Sequence, residues 1–112
     1  MKHICIANDF SISPSGREPD DGPFNGQRFR EELLVPALQT NEKVSVRIDE
    51  VEGYGSSFLE EAFGGLVRQD GFTAKQLEQK LELVADKQKF KIYTDVIWYH
   101  IRSARPEKKD AY

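Results

Sequence analysis

Apolar and polar positions alternate at the start of the chain, and the period then changes several times. Residues 2–7, KHICIA, alternate and are rich in β-branched side chains, which predicts a first strand. Residues 11–26, SISPSGREPDDGPFNG, are dense in Ser, Pro, Gly and Asp and carry no period. An irregular stretch of that length is long for a small domain and is often functional. A helical period returns over residues 27–40. It sets Phe29, Leu33 and Ala37 on one face, with Asn25 as its cap and Pro36 as a kink or an end.

Residues 43–51, KVSVRIDEV, give the clearest strand. Val44, Val46 and Ile48 face one way, and Ser45, Arg47 and Asp49 the other. EGYGSSFLEEAFGGLV, residues 52–67, then reads as a glycine-punctuated turn, two serines and an amphipathic helix. Leu59, Ala62, Phe63, Leu66 and Val67 fall on its apolar stripe. DGF at 70–72 ends that helix, and TAKQ at 73–76 is a capping box that opens a short one. Residues 81–85 predict a third strand. Residues 88–104 predict a last helix with Phe90, Tyr93, Ile97, Ile101 and Ala104 inward and Ile92, Val96 and Tyr99 widening the apolar arc. A strand over 90–93 is the alternative there, because short apolar runs fit either period. The order strand–helix–strand–helix–helix–strand–helix implies an α/β layer with right-handed crossovers. Residues 1–105 read as one domain and 106–112 as a polar tail.

Composition narrows this picture without changing it. A chain of 112 residues with 38% hydrophobic and 31% charged residues fits one globular domain with its own core. The net charge of −3, with both signs scattered, argues against nucleic-acid binding through a basic patch. No apolar run reaches membrane-spanning length, and MKHICIANDF lacks a signal peptide's features. The single cysteine, Cys5, has no intramolecular partner and reads as a small apolar strand residue, so a cytoplasmic location is expected. His3 and His100 have no second ligand at metal-binding spacing. WYH at 98–100 reads as packing, and the serine pair lacks the G-x-S-x-G pattern of a nucleophile elbow. No cofactor is expected.

The serines and glycines of 52–67 carry the candidate chemistry. SFLE makes Ser57 a cap whose hydroxyl accepts from the Glu60 amide while Glu60 reaches back. Ser56 is then spare, one step before the cap. There the helix dipole favours negative charge, so an added phosphate suits the position. An ordinary solvated loop serine is the alternative. On a 100° wheel Gly64 and Gly65 fall opposite the apolar face, beside Glu60, Glu61 and Arg68. Each costs ~1 kcal/mol relative to alanine in a helix, so something is expected to approach the backbone closely there. The approaching group is either the protein's own loop 11–26 or a partner. Arg17, in GREPDD, stands beside three acids in a solvated turn that can alternatively hold an anion or a metal.

SPSGR, DGPFNGQRFREELLVPAL and EGYGSSFLEEAFGGLVR resemble the STAS-like domain family of unknown function, over roughly residues 4–83. More distantly, the strand, turn, serine pair and helix resemble STAS domains, the fold of bacterial anti-sigma-factor antagonists. The resemblance implies a small mixed sheet of about four strands backed by helices, mostly in one layer on one face. It also implies a non-enzymatic module that binds a kinase of the histidine-kinase-like ATPase fold and is released when that kinase phosphorylates a serine. Ser56 matches the phospho-acceptor and Ser57 its neighbour, while Gly55 and Phe58 replace the aspartate and glycine that flank the pair. The long first loop replaces the opening hairpin of ordinary STAS domains. On this reading the partner surface is Gly53, Tyr54, Gly55, Ser56, Glu60, Glu61, Gly64, Gly65 and Arg68. The competing reading is a nucleotide- or anion-binding or catalytic domain, in which loop 11–26 and Arg17 close over the open amides at 56–58.

Overall fold

The computed structural model describes residues 1–107; of the expected tail 106–112, residues 108–112 lie outside them. Three four-residue strands form the sheet: β1 (Lys2–Cys5), β2 (Val44–Arg47) and β3 (Leu81–Val84). Their order is β1-β2-β3 and both pairings are parallel, with Ile4 beside Val46 and Val46 beside Leu83. Among the described residues there is no fourth strand, and the sheet is parallel rather than mixed. β1 stops at Cys5 because the chain turns at once into α1 (Ile6–Asp9), where the Asp9 carboxylate accepts the Cys5 amide at 2.7 Å. The two parallel crossovers leave no hairpin to supply an antiparallel partner.

The alternation expected of β2 is not reproduced in burial, because this central strand, flanked on both sides, buries Ser45 as well as Val44 and Val46, and Asp49 just beyond it is buried too. Ile4, Val44, Val46 and Leu81 are buried, whereas His3 and Glu82 on the opposite face are exposed. One face of the sheet therefore meets the helices, as right-handed crossovers between successive neighbouring strands require. The helices are α2 (26–40), α3 (56–68), α4 (Ala74–Lys80) and α5 (Gln88–Ser103). Residues 90–93 are helical, which decides between the two readings of that segment. Asn25 caps α2 by accepting from the Arg28 amide at 2.8 Å, and Thr73 and Gln76 form the expected capping box on α4.

Both long crossover helices contain a π turn, Arg30–Leu34 in α2 and Glu60–Gly64 in α3. In α2 the Val35 amide donates to the Arg30 carbonyl five residues back. This turn immediately precedes Pro36, whose missing N–H cannot continue the ordinary ladder, and the helix runs on to Thr40 instead of ending. The extra residue shifts the inward stripe from a 3.6-residue period. Phe29, Leu34 and Leu38 are fully buried, and Leu33, expected inward, is only half-buried.

Candidate functional site

The turn before α3 is anchored by Tyr54. Its hydroxyl donates to the Ile48 carbonyl at 2.7 Å, and its ring stacks on Phe58 and meets Tyr93 edge-on at 5.1 Å. Burial, reinforced by the nearby Asp49 carboxylate, pushes the Tyr54 phenol well above its usual range, so it stays a donor. Behind it Asp49, itself buried, accepts the Asp86 and Lys87 amides at 2.7 and 3.1 Å and so ties the end of β2 to the start of α5. Loop 11–26 braces the same turn from outside: the Glu52 amide donates to the Ile12 carbonyl at 2.7 Å and Ser13 donates to the Glu52 carboxylate at 2.6 Å.

This scaffold presents Gly55, Ser56 and Ser57 to solvent. α3 begins two residues earlier than the sequence predicts. Gly55 is the N-cap, in extended conformation, and Ser56 is the first helical residue. Ser57 therefore does not cap the helix, and no side chain does; the Glu60 carboxylate turns instead to Arg17 and Arg68. The first intrahelical bond runs from the Leu59 amide to the Gly55 carbonyl at 3.2 Å, which leaves the amides of Ser56, Ser57 and Phe58 without a helical acceptor. A side chain added at Gly55 would meet nothing within 4 Å.

The rest of α3 is not the outward surface that the wheel predicts. Glu61, Gly64 and Gly65 are all buried, and Glu60 and Arg68 are half-buried. The π turn rotates the phase of the wheel, and α5 and α2 cover what a regular helix would have exposed. A Cβ on Gly64 would meet the Glu60 carboxylate at 2.8 Å and the His100 carbonyl of α5 at 3.4 Å. A Cβ on Gly65 would press into the Arg30 guanidinium, with Cδ and Cζ both at 3.0 Å. The groups that approach the two glycines are thus Arg30 and α5, not loop 11–26. Gly26 is a third close approach: an added Cβ would lie 2.7 Å from the Phe58 carbonyl. That contact sets how tightly α2 crosses α3.

Arg30 is the residue that sequence reasoning misses. It is 1% exposed. Its guanidinium pairs with Glu61, donates to the Glu61 carbonyl and to Gln69 Oε1 at 2.8 Å each, and lies 2.8 Å from Asp70. Arg17 from the loop and Arg68 from α3 complete the cluster on Glu60 and Glu61. Burial opposes ionisation of Glu60, but the hydrogen bonds and charges of Arg17 and Arg68 outweigh it and hold the carboxyl below its ordinary value. Burial raises the Asp70 carboxyl, and Arg30 offsets only part of the effect. Arg17 is thus bound to two carboxylates of α3 and is not held over the amides at 56–58. The acids of GREPDD build the loop: Asp21 accepts the Arg17 and Glu18 amides at 3.0 and 3.1 Å. No group of three metal-ligating side chains occurs among the described residues.

A small α/β layer with a parallel sheet, helices on one face and a serine pair on the first turn of α3 is compatible with a STAS-like domain. A family model described as the STAS-like domain of unknown function (DUF4325) matches residues 25–88, and the chain belongs to that family. The match takes in α2, the serine turn, α3 and β3; SPSGR lies outside it. No curated protein and no solved structure matches the chain. No helix among the described residues is long and apolar enough to cross a membrane.

Proposed function

We propose that this domain is a non-enzymatic regulatory module that docks a partner protein through the turn 53–57 and the first turn of α3, and that phosphorylation of Ser56 switches the docking. The observation that carries this reading is the exposure of Ser56 on a helical first turn whose amides have no helical acceptor, while everything behind it is fixed by buried contacts. Helix N-termini favour negative charge, so a phosphate there is compatible with the fold and changes the surface by nearly two charges. Resemblance to anti-sigma-factor antagonists supplies the partner class, a histidine-kinase-like ATPase. Gly53 to Ser57 form the contact, and Glu60, Glu61, Gly64, Gly65 and Arg68 support it from behind. The competing anion-binding reading needs Arg17 at the helix N-terminus, and Arg17 is engaged by Glu60 and Glu61.

Affinity capture from the native lysate with the wild type, Ser56→Ala and Ser56→Asp tests the reading. An ATPase retained by wild type and Ser56→Ala, and lost with Ser56→Asp, is the expected result. Equal capture by all three, or no ATPase at all, refutes it.

A further inference from the structure

A three-stranded parallel sheet has two edges, and this chain treats them differently. The Lys2 amide donates to the Lys43 carbonyl, so Lys2 and Ile4 face β2 while His3 and Cys5 turn their backbone groups to the β1 edge. The Cys5 amide on that edge is taken by Asp9, which leaves only the His3 N–H and C=O there without a partner among the described residues. Such blocking is how proteins keep edge strands from pairing.

The β3 edge has no such block. The Ile48 amide donates to the Val84 carbonyl at 2.9 Å, which fixes the parity of β3: Glu82 and Val84 bond to β2. Leu83 must then direct both its N–H and its C=O away from the sheet, and neither has a partner among the described residues. Beside this edge lies a cavity of about 440 Å³, lined among others by Leu81, Leu83, Trp98 and Lys43. Trp98 projects from α5 and is half-buried, its outer side held by Arg102, which pairs with Glu78 at 3.1 Å. Glu82, exposed on the open face of the sheet, flanks the same edge.

We propose that the β3 edge and the Trp98 groove form a second docking surface, separate from the serine turn, that takes an extended peptide segment of a partner protein as a fourth strand. The chemistry identifies the occupant. An outward N–H and C=O on one residue are satisfied together by extended backbone. Four residues of β3 span about 13 Å, the reach of a short peptide segment. A single strand pair of that length buries much less than the ~1,000 Å² that a stable dimer needs, which favours a peptide over a second copy of the chain. Apolar side chains of the peptide lie against Leu83 and Trp98, and the alternate positions face Glu82, where a basic residue is complementary.

The test is amide-resolved NMR of the full chain, titrated with the peptide acetyl-KLKVKL-amide, with its backbone N-methylated form and with acetyl-ELEVEL-amide. The expected result is shifts centred on the Leu83 amide with the first peptide, about tenfold weaker binding of the N-methylated form, and similar weakening with the acidic peptide or in Trp98→Ala. The proposal is overturned by an unmoved Leu83 amide at millimolar peptide, or by equal binding of the N-methylated form. It is overturned too by shifts confined to the turn 53–57, or by a Leu83 shift that follows protein concentration without peptide, which assigns the edge to a second copy. None of these readouts depends on Ser56.

Discussion

The guanidinium of Arg30 lies directly against the backbone of Gly65, in the space that any side chain at that position would fill. The two residues belong to the two crossover helices, and each stands at a π turn. Arg30 is buried with Glu61 as its counter-ion, so the contact between α2 and α3 is both a close backbone approach and a desolvated ion pair.

Removing Arg30 is costly, because Glu61 keeps only the longer contacts to Arg17 and Arg68 while the Glu61 carbonyl, Gln69 and Asp70 lose their donor. Arg30→Met is expected to destabilise the chain by ~3–5 kcal/mol, and Arg30→Met with Glu61→Leu to recover a large part of that loss. Urea denaturation of the single and double variants checks both.

Gly65→Ala and Gly55→Asp are expected to differ in sign. Gly65→Ala gains ~1 kcal/mol of helix propensity but pushes into Arg30, with a net loss of ~1–2 kcal/mol. Gly55 has open space and an extended N-cap conformation. Aspartate there supplies a missing cap and adds ~0.5 kcal/mol. It also restores the residue that precedes the serine pair in STAS antagonists. Thermal unfolding of both variants decides.

Ser57→Ala is expected to change stability by less than ~0.5 kcal/mol, because the hydroxyl caps nothing. Thr73→Ala, which breaks a real capping box, is expected to cost ~1 kcal/mol. The same denaturation assay compares them.

His100 gives a pH dependence. Burial lowers its basicity and Arg17 adds to this, while Glu60 acts the other way; the net shift is downward. The unfolded chain then binds the proton more readily than the folded one. The contribution of His100 to folding is complete above pH ~6.5 and is lost as the pH falls below that value. His100→Gln is expected to flatten the fall in stability between pH 7 and 5, measured by denaturation at each pH.

Much of the fold is legible in the sequence because its strands and helix starts rest on local signals. The strand at VSVR, the Asn25 cap and the Thr73–Gln76 box each rest on a few residues, and the structure reproduces them, although Ser45 of that strand is buried with its apolar neighbours. The surroundings of α3 are not legible. A 100° wheel assumes a regular helix, and the π turns break that assumption where Gly64, Gly65 and Arg30 lie. Arg30 follows the inward Phe29, and Gly26 precedes it by one turn on the same helix. That spacing, paired with a glycine in another helix, is the one signal in the sequence for a buried arginine. The three strands of the described residues are the three that local alternation predicts; only the resemblance implied more.

The central claim concerns Ser56, and mass spectrometry of the chain recovered from its native lysate with and without ATP tests it most directly. The account predicts a phosphate on Ser56 that appears only with ATP, together with release of a bound ATPase. A partner that stays bound with ATP while Ser56 remains unmodified would contradict it.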